Sequence, residues 1–95
     1  MKKTFKLKVD NKTIERQADA IRSEVKKYLK RERNKKLPEN FDQWAFDCRI
    51  GESADKNHNI QSHNISKGIE NFVKAQADSF YLEIIARAEV KQKND

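Results

Sequence analysis

Apolar and polar residues alternate strictly through residues 4–9. Phe5, Leu7 and Val9 fall on one side, and Thr4, Lys6 and Lys8 on the other. A period of two is that of a strand with one buried face. Asp10, Asn11 and Lys12 then make a turn, and the period changes. Ile14, Ala18, Ile21, Val25, Tyr28 and Leu29 recur every three to four residues, which predicts one helix over residues 13–36 with a single apolar stripe. Asn11 or Thr13 caps it, and Glu15 lies in its first turn, where a negative charge suits the helix dipole. Leu37-Pro38 stops it, because the residue before a proline avoids helical geometry. Such a helix spans about 35 Å, against ~20 Å for a six-residue strand. Its last turns are therefore expected to overhang the sheet.

Alternation resumes at residues 43–50, with Trp44, Phe46, Cys48 and Ile50 on one face and Ala45, Asp47 and Arg49 on the other. Gly51 ends this strand. Residues 52–59 are polar and without period, and read as a flexible loop. A second helix lies within residues 62–77, with Ile65, Ile69, Phe72 and Val73 as its apolar face. Gly68 weakens it by ~1 kcal/mol unless it permits a close backbone approach. The third strand, residues 80–86, turns Phe80, Leu82, Ile84 and Ala86 inward. Tyr81 and Ile85 make its second face partly apolar, which suggests a central place in the sheet or a patch on the outer face. Residues 88–95 read as a frayed tail.

The order is β-α-β-α-β in one domain over residues 1–95. Each strand has one apolar face, so both helices should cover that face and leave the other open. A purely parallel sheet is normally covered on both sides, so at least one antiparallel pairing is expected. The fold class is α+β: a two-layer sandwich of a three-stranded sheet with two helices on one face. Phe5, Leu7, Ile21, Val25, Trp44, Phe46, Ile69, Phe72, Leu82 and Ile84 form the expected core.

Charge then changes the picture. The chain has 95 residues, 38% of them charged and 36% apolar, with a formal net charge of +6. Residues 1–36 hold fourteen Lys and Arg against five Asp and Glu, a balance of +9; residues 37–95 hold seven against ten, a balance of −3. Within residues 25–36 alone stand seven basic residues and one acid: Lys26, Lys27, Lys30, Arg31, Arg33, Lys35 and Lys36. Cations at a helix C-terminus favour the dipole, which accounts for some of them. The excess predicts an acidic partner: nucleic acid, an anionic surface or an acidic protein.

Cys48 is the single cysteine, so no internal disulfide forms and a reducing, cytoplasmic setting is expected. Lys6 and Lys8 interrupt the apolar stretch that a signal peptide needs after Met1-Lys2-Lys3. No run approaches the ~18 apolar residues of a membrane span.

Several stretches carry a resemblance: the opening Met1-Lys-Lys-Thr-Phe5, Lys26-Lys-Tyr-Leu-Lys-Arg-Glu-Arg33, Leu37-Pro38-Glu39, Trp44-Ala-Phe-Asp-Cys48 with Gly51, and Ser79-Phe-Tyr-Leu-Glu-Ile84. In these the chain resembles a family of short bacterial proteins grouped only as a domain of unknown function. The similarity covers most of the chain, least at residues 52–64. It implies a bacterial cytoplasmic protein and carries no activity or catalytic residue.

Candidate chemistry is sparse. His58 and His63 are five residues apart, about 140° around a helix, whereas two helical metal ligands usually stand four apart on one face. Cys48 is in register with core residues, where a cysteine is buried and inert. Asp47 and Glu83 share the open sheet face and could pair for acid–base work, but Arg49, Arg87 and Lys6 or Lys8 are there too, and a cross-strand ion-pair lattice is simpler. Trp44 and Phe46 could stack on single-stranded RNA only if they faced away from the helices. Neither glycine opens a phosphate loop. No catalytic residue, metal ligand or cofactor is assigned.

The sequence thus predicts a non-enzymatic, monomeric binding module. It contacts the phosphate backbone of RNA or DNA through Lys26, Lys27, Lys30, Arg31, Arg33, Lys35 and Lys36, assisted by Lys2, Lys3, Lys6 and Lys8. Nothing in it presents base-specific readout. The alternative is a protein-interaction or regulatory module with a protein partner on the open sheet face around Tyr81, Ile85 and Ala45.

Overall fold

Residues 1–90 are described by the structure, a computed structural model. The elements are β1 (Lys2–Lys6), α1 (Ile14–Arg33), β2 (Gln43–Gly51), β3 (Asn57–Ile60), a single 3₁₀ turn (Ser62–Asn64), α2 (Ile65–Lys74) and β4 (Ser79–Glu89). The class is α+β, as expected, but the sheet has four strands, in the order β1-β4-β2-β3. Every neighbouring pair is antiparallel. β1 and β2, joined through α1, run parallel with β4 between them; β3 and β4, joined through α2, enclose β2. Two split β-α-β units are thereby interlocked. β4 is central, in keeping with its second apolar face.

β3 is the strand the pattern missed. Residues 57–60 carry only one apolar side chain, Ile60, so no alternation marks them. An edge strand needs backbone partners more than a buried face, and these four residues pair with Cys48 to Gly51 on β2. Arg49 holds the pair from the open face, donating to the side chains of Asn57 and Asn59. Gly51 makes the hairpin possible: a Cβ there would lie 2.1 Å from the Lys56 carbonyl oxygen and 2.4 Å from Asn57 Cα.

Other boundaries shift. β1 starts at Lys2 rather than at residue 4, because the Met1 carbonyl accepts from Ile84 N–H at 2.8 Å and carries the ladder to the first residue. Leu7 lies past the strand end yet is fully buried, its N–H donating to Asp78 at 2.8 Å. β4 runs to Glu89, since Ala88 and Glu89 pair with Trp44 and Gln43; of the tail expected from residue 88, residues 91–95 lie outside the described residues. α2 begins at Ile65 and closes at Lys74 in a Schellman motif: Gln76 N–H bonds Val73 O and Ala77 N–H bonds Phe72 O, at 3.0 Å each.

The core lies between the sheet and the two helices. Leu7, Ile50, Ile69, Phe80, Leu82 and Ile84 are its largest fully buried side chains, each worth roughly 1.5–3 kcal/mol by transfer from water. Phe5, Phe80 and Phe72 stack in series, with centroids 5.5 and 5.6 Å apart. Gly68 does permit a close approach: a Cβ there would meet Ile60 and Ile50 side chains at 2.8 and 3.1 Å. Three expected core members, Trp44, Phe46 and Phe72, are only half-buried.

Candidate nucleic-acid interface

α1 is capped by Thr13, whose hydroxyl accepts from Arg16 N–H at 3.2 Å. Ala18, Ile21, Val25 and Leu29 bury its apolar stripe. The helix ends at Arg33 with Asn34 as C-cap, so Lys35 and Lys36 lie in the connection beyond it. The expected helix to residue 36 stops one turn early, where the N–H groups of Asn34 and Lys35 turn back to the carbonyls of Lys30, Arg31 and Glu32. The Lys35 carbonyl accepts from the Trp44 indole N–H at 2.9 Å, which fastens the chain to β2.

The basic end therefore does not overhang as a free rod. β2 and β4 are nine and eleven residues long, and a nine-residue strand spans ~30 Å, matching twenty residues of helix at ~30 Å. The helix end lies along this ribbon. The Arg33 guanidinium sits 5.5 Å from the centre of the Phe46 ring.

All seven predicted residues, Lys26, Lys27, Lys30, Arg31, Arg33, Lys35 and Lys36, are exposed. Among the described residues only Lys35 of these pairs with a carboxylate, Glu32 at 2.8 Å. Helical spacing of 100° per residue puts Lys26, Lys30 and Arg33 within about 60° of one another, and Lys27 and Arg31 on the next flank. Lys26 and Arg33 border an open groove of about 560 Å³ between α1 and α2, whose far wall carries Ser62, His63 and Ser66. Deeper in it, Arg22 is held by Asp19 at 3.0 Å and Glu70 at 2.9 Å.

The strand lysines are spread out. Lys3 turns to the helix side, 3.4 Å from Glu24 and 4.7 Å from the Phe5 ring centre. Lys8 pairs with Asp78 at 3.1 Å. Lys2 and Lys6 are exposed.

The open sheet face is a polar lattice. Arg87 donates to Asp47 and Glu89, both at 2.8 Å, and Gln43 bonds Glu89. Tyr81 donates its hydroxyl to Glu83 at 2.7 Å, and that bond raises the phenol above its ordinary pKa. Asp47 and Glu83 thus have separate partners and form no acid–base pair. Ile85 is the one exposed large apolar side chain in the described strands, at 42%.

Cys48 is buried among core residues at 3% exposure. Burial first, and then the Asp47 charge, push its thiol up to about 11. His58 lies on β3 and His63 in the 3₁₀ turn. Among the described residues no three His, Cys, Asp or Glu side chains are grouped to hold a metal ion. Among them, too, no helix is long and apolar enough to cross a membrane.

Fold and surface define a small two-layer α+β protein whose charge is gathered at one end of its longer helix. The chain belongs to a family of unknown function, DUF6172, which it matches over residues 1–95. No curated protein and no solved structure matches it.

Proposed function

We propose that this protein is a non-enzymatic module that binds the phosphate backbone of nucleic acid through the end of α1 and the connection after it. One observation carries the reading: Lys26, Lys27, Lys30, Arg31 and Lys36 are exposed and have no carboxylate partner among the described residues. Unpaired cations so close together repel one another, and an anionic partner relieves that repulsion while releasing its condensed counterions. The open sheet face supports a protein partner less well, because Arg87 is already paired there with Asp47 and Glu89, and Ile85 is the one exposed large apolar side chain in the described strands. A monomer in a reducing, cytoplasmic setting suits a chain whose single cysteine is buried.

The test is salt dependence. With four phosphate contacts, from Lys30, Arg31, Lys35 and Lys36, the log–log slope of affinity against salt should be on the order of −3 to −4. Changing these four to Gln should remove most of the binding and flatten the slope. Circular dichroism should remain unchanged, since Gln is a good helix former and none of the four is buried. Changing Lys2 and Lys6, at the other side of the sheet, should matter much less. If the parent binds neither RNA nor DNA at ~50 mM salt, the basic end is only a solvated helix terminus, and the protein-interaction reading replaces this one.

A further inference from the structure

The cations do not stand alone. Phe41 precedes β2 and is 42% exposed; Trp44 and Phe46, on the helix-facing side of β2, are half-buried. All three come from one six-residue stretch at the end of the sheet where the chain leaving α1 is fastened. The fastening is direct: Trp44 bonds the Lys35 carbonyl, and Arg33 covers Phe46. The last rung of the sheet lies there too, with Asp42 N–H donating to Glu89 O at 3.1 Å. Flanking that rung are Phe41 and Val90, two of the three exposed large apolar side chains among the described residues. One exposed ring, two half-buried rings and a run of unpaired cations therefore occupy the same end of the molecule.

We infer that the nucleic acid this end takes is single-stranded, an inference that rests on the backbone-binding reading above. A duplex hides the faces of its bases inside the stack and offers an exposed ring nothing to stack on. A single strand presents both a phosphate line and free base faces, and aromatic rings set beside a basic track hold it without regard to sequence. Phe41 offers its ring to a base, and Arg33, whose guanidinium lies over Phe46 at 5.5 Å from the ring centre, adds a cation beside it. Lys30, Lys35 and Lys36 supply the adjacent phosphate contacts. The residues after Asn34 are positioned for this by the Trp44–Lys35 bond.

Trp44 is the sole tryptophan in the chain, so its fluorescence reports on this end alone. The probes are oligo-dT of about a dozen nucleotides, within the usual reach of one small binding domain, a duplex of equal length, and heparin. Oligo-dT should bind tightest and should quench or shift the Trp44 emission. Phe41→Ala, at an exposed position outside any strand, should weaken oligo-dT binding about tenfold and change duplex and heparin binding less than twofold. Equal or tighter duplex binding, with Phe41→Ala neutral and no Trp44 response, overturns the single-strand inference and leaves the backbone reading standing. Binding of heparin as tightly as oligo-dT, with the same indifference to Phe41, also overturns it. Binding of neither nucleic acid overturns both.

Discussion

The indole N–H of Trp44 donates to the backbone carbonyl of Lys35 at 2.9 Å, across nine positions of sequence. One bond thus ties the chain leaving α1 to the second strand. It takes a carbonyl that a longer helix would have left unsatisfied, and it holds Lys35 and Lys36 beside the aromatic end of the sheet.

That bond sets the expected cost of changing Trp44. Trp44→Phe keeps most of the ring and loses the donor, so stability should fall by about 1 kcal/mol. Trp44→Ala should cost about 2–3 kcal/mol, less than the 3–5 kcal/mol typical of a fully buried aromatic, because the side chain is half-buried. Urea denaturation of the two variants measures both. Equal losses for Phe and Ala would show that the hydrogen bond, not packing, is the whole contribution.

Cys48 should resist thiol reagents at neutral pH until the protein unfolds, since its thiol is buried and pushed up to about 11 from an ordinary 9.0. The linkage has a definite sign. Below pH 9 both folded and unfolded states keep the proton, and stability is unaffected. Between about 9 and 11 the unfolded thiol ionises while the folded one does not, so stability falls as pH rises. Thermal melts of the parent and of Cys48→Ala should therefore converge over that window, the parent losing more. Parallel curves would place the thiol in water.

Gly51→Ala should be severe, about 3 kcal/mol or more, because the new Cβ would strike backbone atoms of Lys56 and Asn57 at 2.1 and 2.4 Å. Gly68→Ala should stay within about 1 kcal/mol of the parent. Its neighbours are the ends of the Ile60 and Ile50 side chains, which can turn, and alanine restores ~1 kcal/mol of helix propensity. A pair of melts separates the two positions; similar losses at both would refute the hairpin geometry.

Gln76 holds a φ of 53° at the end of α2, a left-handed position that favours glycine. Gln76→Gly should stabilise the protein by about 0.5–1 kcal/mol, the relief of strain exceeding the added entropy of the unfolded chain. A drop in melting temperature would mean that the Gln76 side chain makes a contribution of its own.

By itself the sequence determined the elements that carry a period. The 3.6-residue stripe from Ile14 to Leu29 marks α1, and the alternations at Phe5–Leu7, Cys48–Ile50 and Phe80–Ile84 mark three strands and their inward faces, because burial of one face imposes its spacing on the chain. It also determined the run of charge at residues 26–36, which no folding changes, and a partly apolar second face on the last strand, which fitted a central place or an outer-face patch until the sheet order put β4 at the centre. Tertiary structure decided what has no period. β3 exists because β2 has backbone groups to offer on its free side, and its polar side chains bear no trace of that. Strand order came from which edges remained open once two crossovers had covered one face, a long-range matter that no local window contains. The place of Trp44 was decided the same way. Its register does put it on the helix side, but the ring is only partly closed over, and the indole N–H serves as a clasp to the Lys35 carbonyl at the charged end. Alternation assigns a face; only the lengths of the packed elements decide how much of that face is closed.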